Sequence, residues 1–197
     1  MRKSQSSSID YLALLPEWLR ELLLESDDFG EHEQRMKFVI RLARLNVDNG
    51  TGGPFGAAVF ESSSGRLVAA GVNLVTILNC SLAHAEMVAI AFAQRSLASY
   101  DLGRQELPEH ELVTSCEPCA MCLGAIPWSG VSRVVCGARD EDARNIGFDE
   151  GSKVSDWPVE LEKRDIEVVR DVCRSSAVQV MQHYHVAGGE IYNSRKA

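Results

Sequence analysis

The chain has 197 residues, 45% of them hydrophobic and 24% charged, enough for one domain with a full core and a short extension. Its 28 acidic residues outnumber 20 basic ones, for a net charge of −8 at pH 7, and no stretch concentrates Lys or Arg; a protein that grips tRNA or single-stranded DNA carries a basic stripe against the phosphates, so the balance argues against a nucleic-acid partner. Six cysteines without a secretory apolar segment fit a reducing compartment, the cytoplasm, and the chain reads as having no membrane span.

A polar tail, residues 4–8, precedes an apolar stretch at 9–24 that Asp10, Glu17, Arg20 and Glu21 interrupt. The interruptions predict an amphipathic helix, not a membrane segment. Residues 1–30 are therefore set apart as an extension that packs on the domain or on a partner subunit, and 31–197 as the domain itself. Residues 33–49 gather Met36, Val39, Ile40, Ala43 and Leu45 on one helical side, and 50–54 break the helix. Residues 55–60 and 66–73 read as apolar strands joined as a hairpin through 61–65. A helix is expected over 84–97. Strands at 111–115 and 131–138 flank a helix at 119–128, a unit whose right-handed crossover implies parallel pairing. The acidic stretch 140–156 reads as loop, 166–170 as a fifth strand and 172–185 as a last helix before Gly188-Gly189 and the tail. The sum is an α/β fold, a mixed five-stranded sheet covered by helices.

Chemistry concentrates in two places. His84-Ala85-Glu86 opens one helix, and Pro118-Cys119-Ala120-Met121-Cys122, starting thirty-two residues after Glu86, opens another. Residues two apart project about 200° apart in a helix body, so His84 and Glu86 share a site only near its first turn. Cys119 and Cys122, three apart, lie on one face, and a helix N-terminus favours thiolate. Zn²⁺ in a catalytic site takes three His or Cys ligands and leaves a position to water, whose pKa falls to about 7. An unligated Glu86 would then move protons. Each piece alone is weak; in this order they form the signature of zinc deaminases. A Cys116, Cys119, Cys122 triple is conceivable, but 114–117 reads as strand end and loop, so Cys116 is taken as structural. Cys80, Cys136 and Cys173 read as small buried residues.

With Gly52-Gly53-Pro54-Phe55-Gly56-Ala57-Ala58-Val59, Asn73, Ala83-His84-Ala85-Glu86, the run from Thr114 through Pro118-Cys119-Ala120-Met121-Cys122 to Ala125, and Ile146-Gly147-Phe148-Asp149-Glu150 in this order, the chain resembles the cytidine-deaminase-like superfamily and, within it, bacterial guanine deaminases. The resemblance covers residue 33 onward. It implies a three-layer α/β/α fold, a homodimer, a zinc held by His84, Cys119 and Cys122, and conversion of guanine to xanthine with release of ammonia.

That substrate makes chemical sense. Guanine carries an N1–H donor beside C2, so a pocket holding C2 at the metal benefits from an in-plane carboxylate. Glu150 or Asp149 would supply it, and the resemblance favours Glu150, with a possible proton-shuttling role. The resemblance also puts Asn73 at the base, where its amide suits O6 and N7. Phe55 and Trp128 are candidates to stack on the purine, and the resemblance makes the tail with Tyr192 and Asn193 a candidate lid over the site. Glu86 is expected to pass a proton from the water to N3 and then to the departing amine. Guanosine deaminase is the nearest alternative, since only room at N9 separates the two; a tRNA adenosine deaminase, a cytosine-type enzyme, activity on triazines and a zinc-binding module without activity are the others. The acidic balance and 148–150 argue against the tRNA and cytosine readings, and the presence of Glu86 argues against the inactive module.

Overall fold

The computed structural model describes residues 15–24 and 28–193. Strands β1 (Gly56–Glu61), β2 (Leu67–Val72), β3 (His110–Cys116), β4 (Arg133–Ala138) and β5 (Glu167–Val169) form one sheet in the order β2-β1-β3-β4-β5. β1 is antiparallel to both β2 and β3, while β3 with β4 and β4 with β5 are parallel. β2, β3, β4 and β5 therefore all run one way. Their carboxyl ends, with the start of β1, gather at one edge, the edge where open α/β sheets hold ligands.

Helices α1 (Glu17–Leu24), α2 (His32–Asp48), α3 (Val75–Leu78), α4 (Ala85–Ser96), α5 (Ala120–Ser129), α6 (Asp140–Asn145), α7 (Trp157–Glu162) and α8 (Arg174–Val186) complete the described structure. The strict two-residue period of the strands sorts the core into two layers. Ala58, Phe60, Val113 and Val135 face Met36, Val39, Leu42, Val180 and Met181 of α2 and α8, with Leu19 of α1 in the same cluster. Ala57, Val59, Leu112, Val134 and Cys136 face Ala89, Ala93, Ile126 and Leu161 of α4, α5 and α7. Each large side chain fully buried in this way contributes about 1.5–3 kcal/mol. Gly71 lets α4 lie close on β2: a Cβ there would stand 2.5 Å from the Ala85 carbonyl oxygen. Among the described residues no helix is long and apolar enough to cross a membrane.

The three-layer α/β/α arrangement and all five strands match the sequence reading to within about two residues. Of the helix expected at 9–24, α1 is the described part; 9–14 lie outside the described residues. The acidic stretch is where the reading fails, because 140–156 is not all loop. Asp140, Glu141 and Asp142 fill the first turn of α6, where acidic residues meet the positive end of the helix dipole. The Asp142 carboxylate accepts the Arg139 backbone N–H at 2.8 Å, and Arg144, Lys153 and Arg174 pair with Asp140 and Asp142. What reads as a solvated charge run is an ion-paired helix. The short α3 and α7 also went unpredicted, each too brief to show a helical period.

Candidate active site

His84 and Cys119 are the residues immediately before α4 and α5. Both keep extended backbones, with φ/ψ of −70/154° and −64/170°. This resolves the angular problem of His84 and Glu86: His84 is not yet helical, so its ring can turn toward the same point as Glu86 in the first turn. His84 Nδ1 stands 3.5 Å from Cys119 Sγ, and the donor atoms of His84, Cys119 and Cys122 all lie within 4.8 Å of one another. Zinc bonds of about 2.3 Å to sulfur and 2.0–2.1 Å to nitrogen, set tetrahedrally, place donors roughly 3.4–3.8 Å apart. One imidazole with two soft sulfurs is also the ligand chemistry zinc prefers, so the residues fit the ion.

Of the three donors only Cys119 is biased toward the form zinc takes, since a bound ion needs thiolates and a neutral imidazole. The Cys119 thiol is held down to about 4, chiefly because Cys122 donates its S–H to it, with His84 adding to the effect. Cys122 correspondingly holds its proton. Burial pulls the His84 pKa down, but Cys119 and Glu86 beside it outweigh that and raise it. Glu86 is buried, and desolvation followed by the Cys119 charge lifts its carboxyl above the usual range.

His84, Glu86 and Cys119 form one wall of a cavity of about 350 Å³, lined also by Phe55, Asn73, Phe148, Asp149, Glu150 and Tyr192. Asn73 follows β2 and is 1% exposed. Its Oδ1 accepts the Val75 N–H at 3.4 Å, while its Nδ2 has no partner; the half of the amide left for a ligand is therefore the donor. The chain brings Asn73 there through Gly52, where any Cβ would collide with the Asn73 carbonyl oxygen. Glu150 is buried, and desolvation, then the Cys119 charge, pushes its carboxyl up to about 8. Its carbonyl accepts the Ala120 N–H at 2.9 Å, and Lys153, three residues on, donates to the Pro118 carbonyl at 2.8 Å. The Glu150 loop is thus tied across the first turn of α5.

Phe55 packs edge-on against Phe148, ring centres 5.0 Å apart. Tyr192 lies 5.1 Å from Phe148 and 6.4 Å from His84, and burial raises its hydroxyl pKa. The tail is strapped down one residue later, where Asn193 accepts the Asp149 N–H at 2.9 Å and donates to the Gly147 carbonyl at 2.8 Å.

The match with known proteins agrees with this geometry. Residues 30–138 fit the model of the cytidine and deoxycytidylate deaminase zinc-binding region. The chain belongs to the zinc-binding cytidine and deoxycytidylate deaminase family. Guanine deaminase of Bacillus subtilis is 40% identical over 135 residues, covering 68% of this chain and 82% of that protein. The solved structure of NE0047 in complex with 2,6-diaminopurine superposes with a TM-score of 0.86 at 46% identity, over 92% of this chain and 96% of the other. Guanine deaminase from Nitrosomonas europaea gives a TM-score of 0.85 at 45% identity, over 87% and 94%.

As a member of this zinc-binding deaminase family, the chain lines the cavity with eight of the ten expected site residues, and the fully buried Cys122 joins His84 and Cys119 in the donor cluster; Trp128 is the exception. It stands nine residues beyond Cys119, roughly 13 Å along the helix axis, and is 84% exposed on its outer side. It does not line the cavity of its own chain. Asp149 contributes at the rim only: its side chain is 64% exposed and accepts the Gly151 N–H at 2.9 Å, shaping the turn that presents Glu150. Cys116 lines the cavity without joining the donor cluster. Cys136 is buried as expected, but Cys173 is half-buried and Cys80 is exposed, since α3 and the loop after it carry Cys80 to the surface. Phe148 is the site residue that sequence reasoning missed, although its signal was present in Gly147-Phe148-Asp149-Glu150. Asn193, expected with Tyr192 in the tail, lines the cavity and works through backbone contacts.

Proposed function

We propose that the chain is a guanine deaminase, hydrolysing guanine to xanthine and ammonia in the cavity at the carboxyl edge of the sheet. One observation carries the reading: His84 and Cys119 of the His/Cys/Cys donor cluster, two buried carboxylates and Asn73 with its unpartnered amide nitrogen line one cavity. His84, Cys119 and Cys122 hold zinc, whose Lewis acidity when bound brings water into its nucleophilic form near neutral pH.

The remaining roles belong to side chains. Glu150 accepts the purine N1–H, a contact that favours its ionised form and offsets the burial that raises its pKa. Asn73 Nδ2 donates to O6 or N7. Phe55, Phe148 and Tyr192 close around the ring. With C2 so presented, an oxygen–carbon bond forms as water adds and Glu86 takes one water proton to N3; Glu86 then moves the proton remaining on the added oxygen to the exocyclic amine, which leaves as ammonia as the carbon–nitrogen bond breaks and the C2 carbonyl forms.

The substrate is the free base and not a nucleic acid: the net charge of −8 offers phosphates little, and Tyr192 covers the cavity beside the zinc ligands. The enzyme works as a homodimer, for which the exposed Trp128 supplies a large apolar anchor, and in the cytoplasm, where thiols that must bind zinc stay reduced.

The test is ammonia release by zinc-loaded protein from guanine, guanosine, cytidine, adenosine and a tRNA anticodon stem, measured side by side. Guanine alone is expected to turn over. Guanosine as the better substrate would keep the chemistry and overturn the closed tail, whereas reaction of the tRNA alone would overturn both the charge argument and the role of Glu150.

A further inference from the structure

The family match begins at residue 30, yet α1 lies before it and reaches the cavity wall through a chain of hydrogen bonds. Asn46, in the last turn of α2, is 0% exposed. Its Nδ2 donates to two carbonyls, those of Gly53 and Asn73, each at 2.8 Å. These residues come from two separate segments that meet beside the cavity: Gly53 before β1, next to Tyr192, and Asn73 after β2, in the cavity lining. With both its hydrogens given to carbonyls, the amide can present only oxygen on its other side, and the Thr51 hydroxyl donates to that oxygen at 2.7 Å. The Thr51 oxygen accepts the Trp18 indole N–H at 3.2 Å. Trp18 sits on α1, whose Leu19 is buried in the main core.

We infer that Asn46, Thr51 and Trp18 form a positioning relay, through which the amino-terminal helix fixes the backbone of Asn73 and so sets affinity for the purine. None of the three touches substrate. Asn46 is filled on both sides, so the separation between the Gly53 and Asn73 carbonyls is fixed by one planar group. Loss of the hydroxyl that holds Asn46 Oδ1 would leave a buried acceptor unpaired and free the amide to tilt, carrying the Asn73 carbonyl and its side chain with it. The zinc ligands hang from other elements and stay in place. The inference rests on the reading that Asn73 binds guanine.

Thr51→Val keeps the shape and removes the hydroxyl; Thr51→Ser keeps the hydroxyl; Trp18→Phe keeps an aromatic ring and removes the N–H. KM and kcat for guanine are measured on zinc-loaded, full-length proteins beside Asn73→Ala. Thr51→Val is expected to raise KM about tenfold with kcat within about twofold, Trp18→Phe to raise KM about threefold, and Thr51→Ser to match wild type within about twofold. A merely structural relay would lower the active fraction, and with it the apparent kcat, but leave KM alone. If Asn73→Ala raises KM by tenfold or more while Thr51→Val and Trp18→Phe do not change it, the relay is overturned and the pocket reading stands. If Asn73→Ala itself leaves KM unchanged, the pocket reading fails and takes the relay with it. Should Thr51→Val not fold, the KM of Trp18→Phe decides.

Discussion

The two halves of the cavity are built on different plans. The metal half hangs on two helix starts, His84 before α4 and Cys119 before α5, each seated on a strand's carboxyl end and pressed to the sheet by buried side chains. The purine half is assembled from four separate segments: the turn before β1, Asn73 after β2, the Glu150 loop and the tail. Those segments pack Phe55, Phe148 and Tyr192 against the core and are clamped besides by hydrogen bonds onto backbone carbonyls and amides. One half is fixed by packing, the other by packing and polar clamps together. Chemistry that must not drift is placed on rigid elements, and recognition on parts that small changes can shift.

Substitutions can break that contrast, and the largest effect belongs to the metal half. Glu86→Gln should retain stoichiometric zinc, by elemental analysis, and lose about 10³-fold or more in kcat; a zinc-loaded variant that still turns over would remove Glu86 from proton transfer. On the purine side, Glu150→Gln should cut kcat/KM for guanine by about 10²-fold with zinc content and melting temperature unchanged. Wild-type activity there would return Glu150 to a merely acidic turn. Gly52→Ala sharpens the comparison further, since its methyl must push the Asn73 carbonyl away: KM should rise at least about tenfold while zinc affinity holds, and loss of zinc instead would show that the halves are coupled.

The smallest effect concerns the α6 platform behind the Glu150 loop. Arg174 hydrogen bonds lower the Asp142 pKa, and Arg144 and Lys153 lower that of Asp140 against the upward pull of burial. Both folded-state values lie below the unfolded one of about 3.9. Their stabilisation is therefore fully present above that value and is lost as pH falls through the folded values. Arg174→Leu should slightly flatten the acid limb of the melting curve below about pH 4, with activity at pH 7 unaltered. An unchanged acid limb would assign the pairing no energetic role.

The same division decides what could be read from the sequence. The metal half is contiguous, two short runs at helix starts, and residue spacing alone exposes it. The sheet is legible for a similar reason: buried strands carry a two-residue period and breakers at their ends. Of the purine half, Asn73, Phe55, Glu150 and Tyr192 were placed through resemblance rather than spacing, because segments that meet only in three dimensions leave no local pattern. Trp128 was misplaced since an aromatic close in sequence to Cys122 looks near the metal, whereas helical rise carries it two turns away and outward. The ion pairs that turn 140–145 into a helix join Asp142 to Arg174, thirty-two residues on, and Asn46 contacts carbonyls seven and twenty-seven residues away. Such bonds are invisible to any window of neighbouring residues.

The surface position of Cys80 offers an optical handle on the closing of the pocket. Of the six cysteines it is the one fully exposed; Ser81 beside it lines the cavity, and His84 follows four residues later. With zinc occupying Cys119 and Cys122 and the half-buried Cys173 replaced by Ser, a thiol-reactive fluorophore would attach at Cys80, beside the cavity lining but outside the chemistry. Emission from that single dye would then follow purine entry and product departure in real time, separating them from the bond-breaking step between.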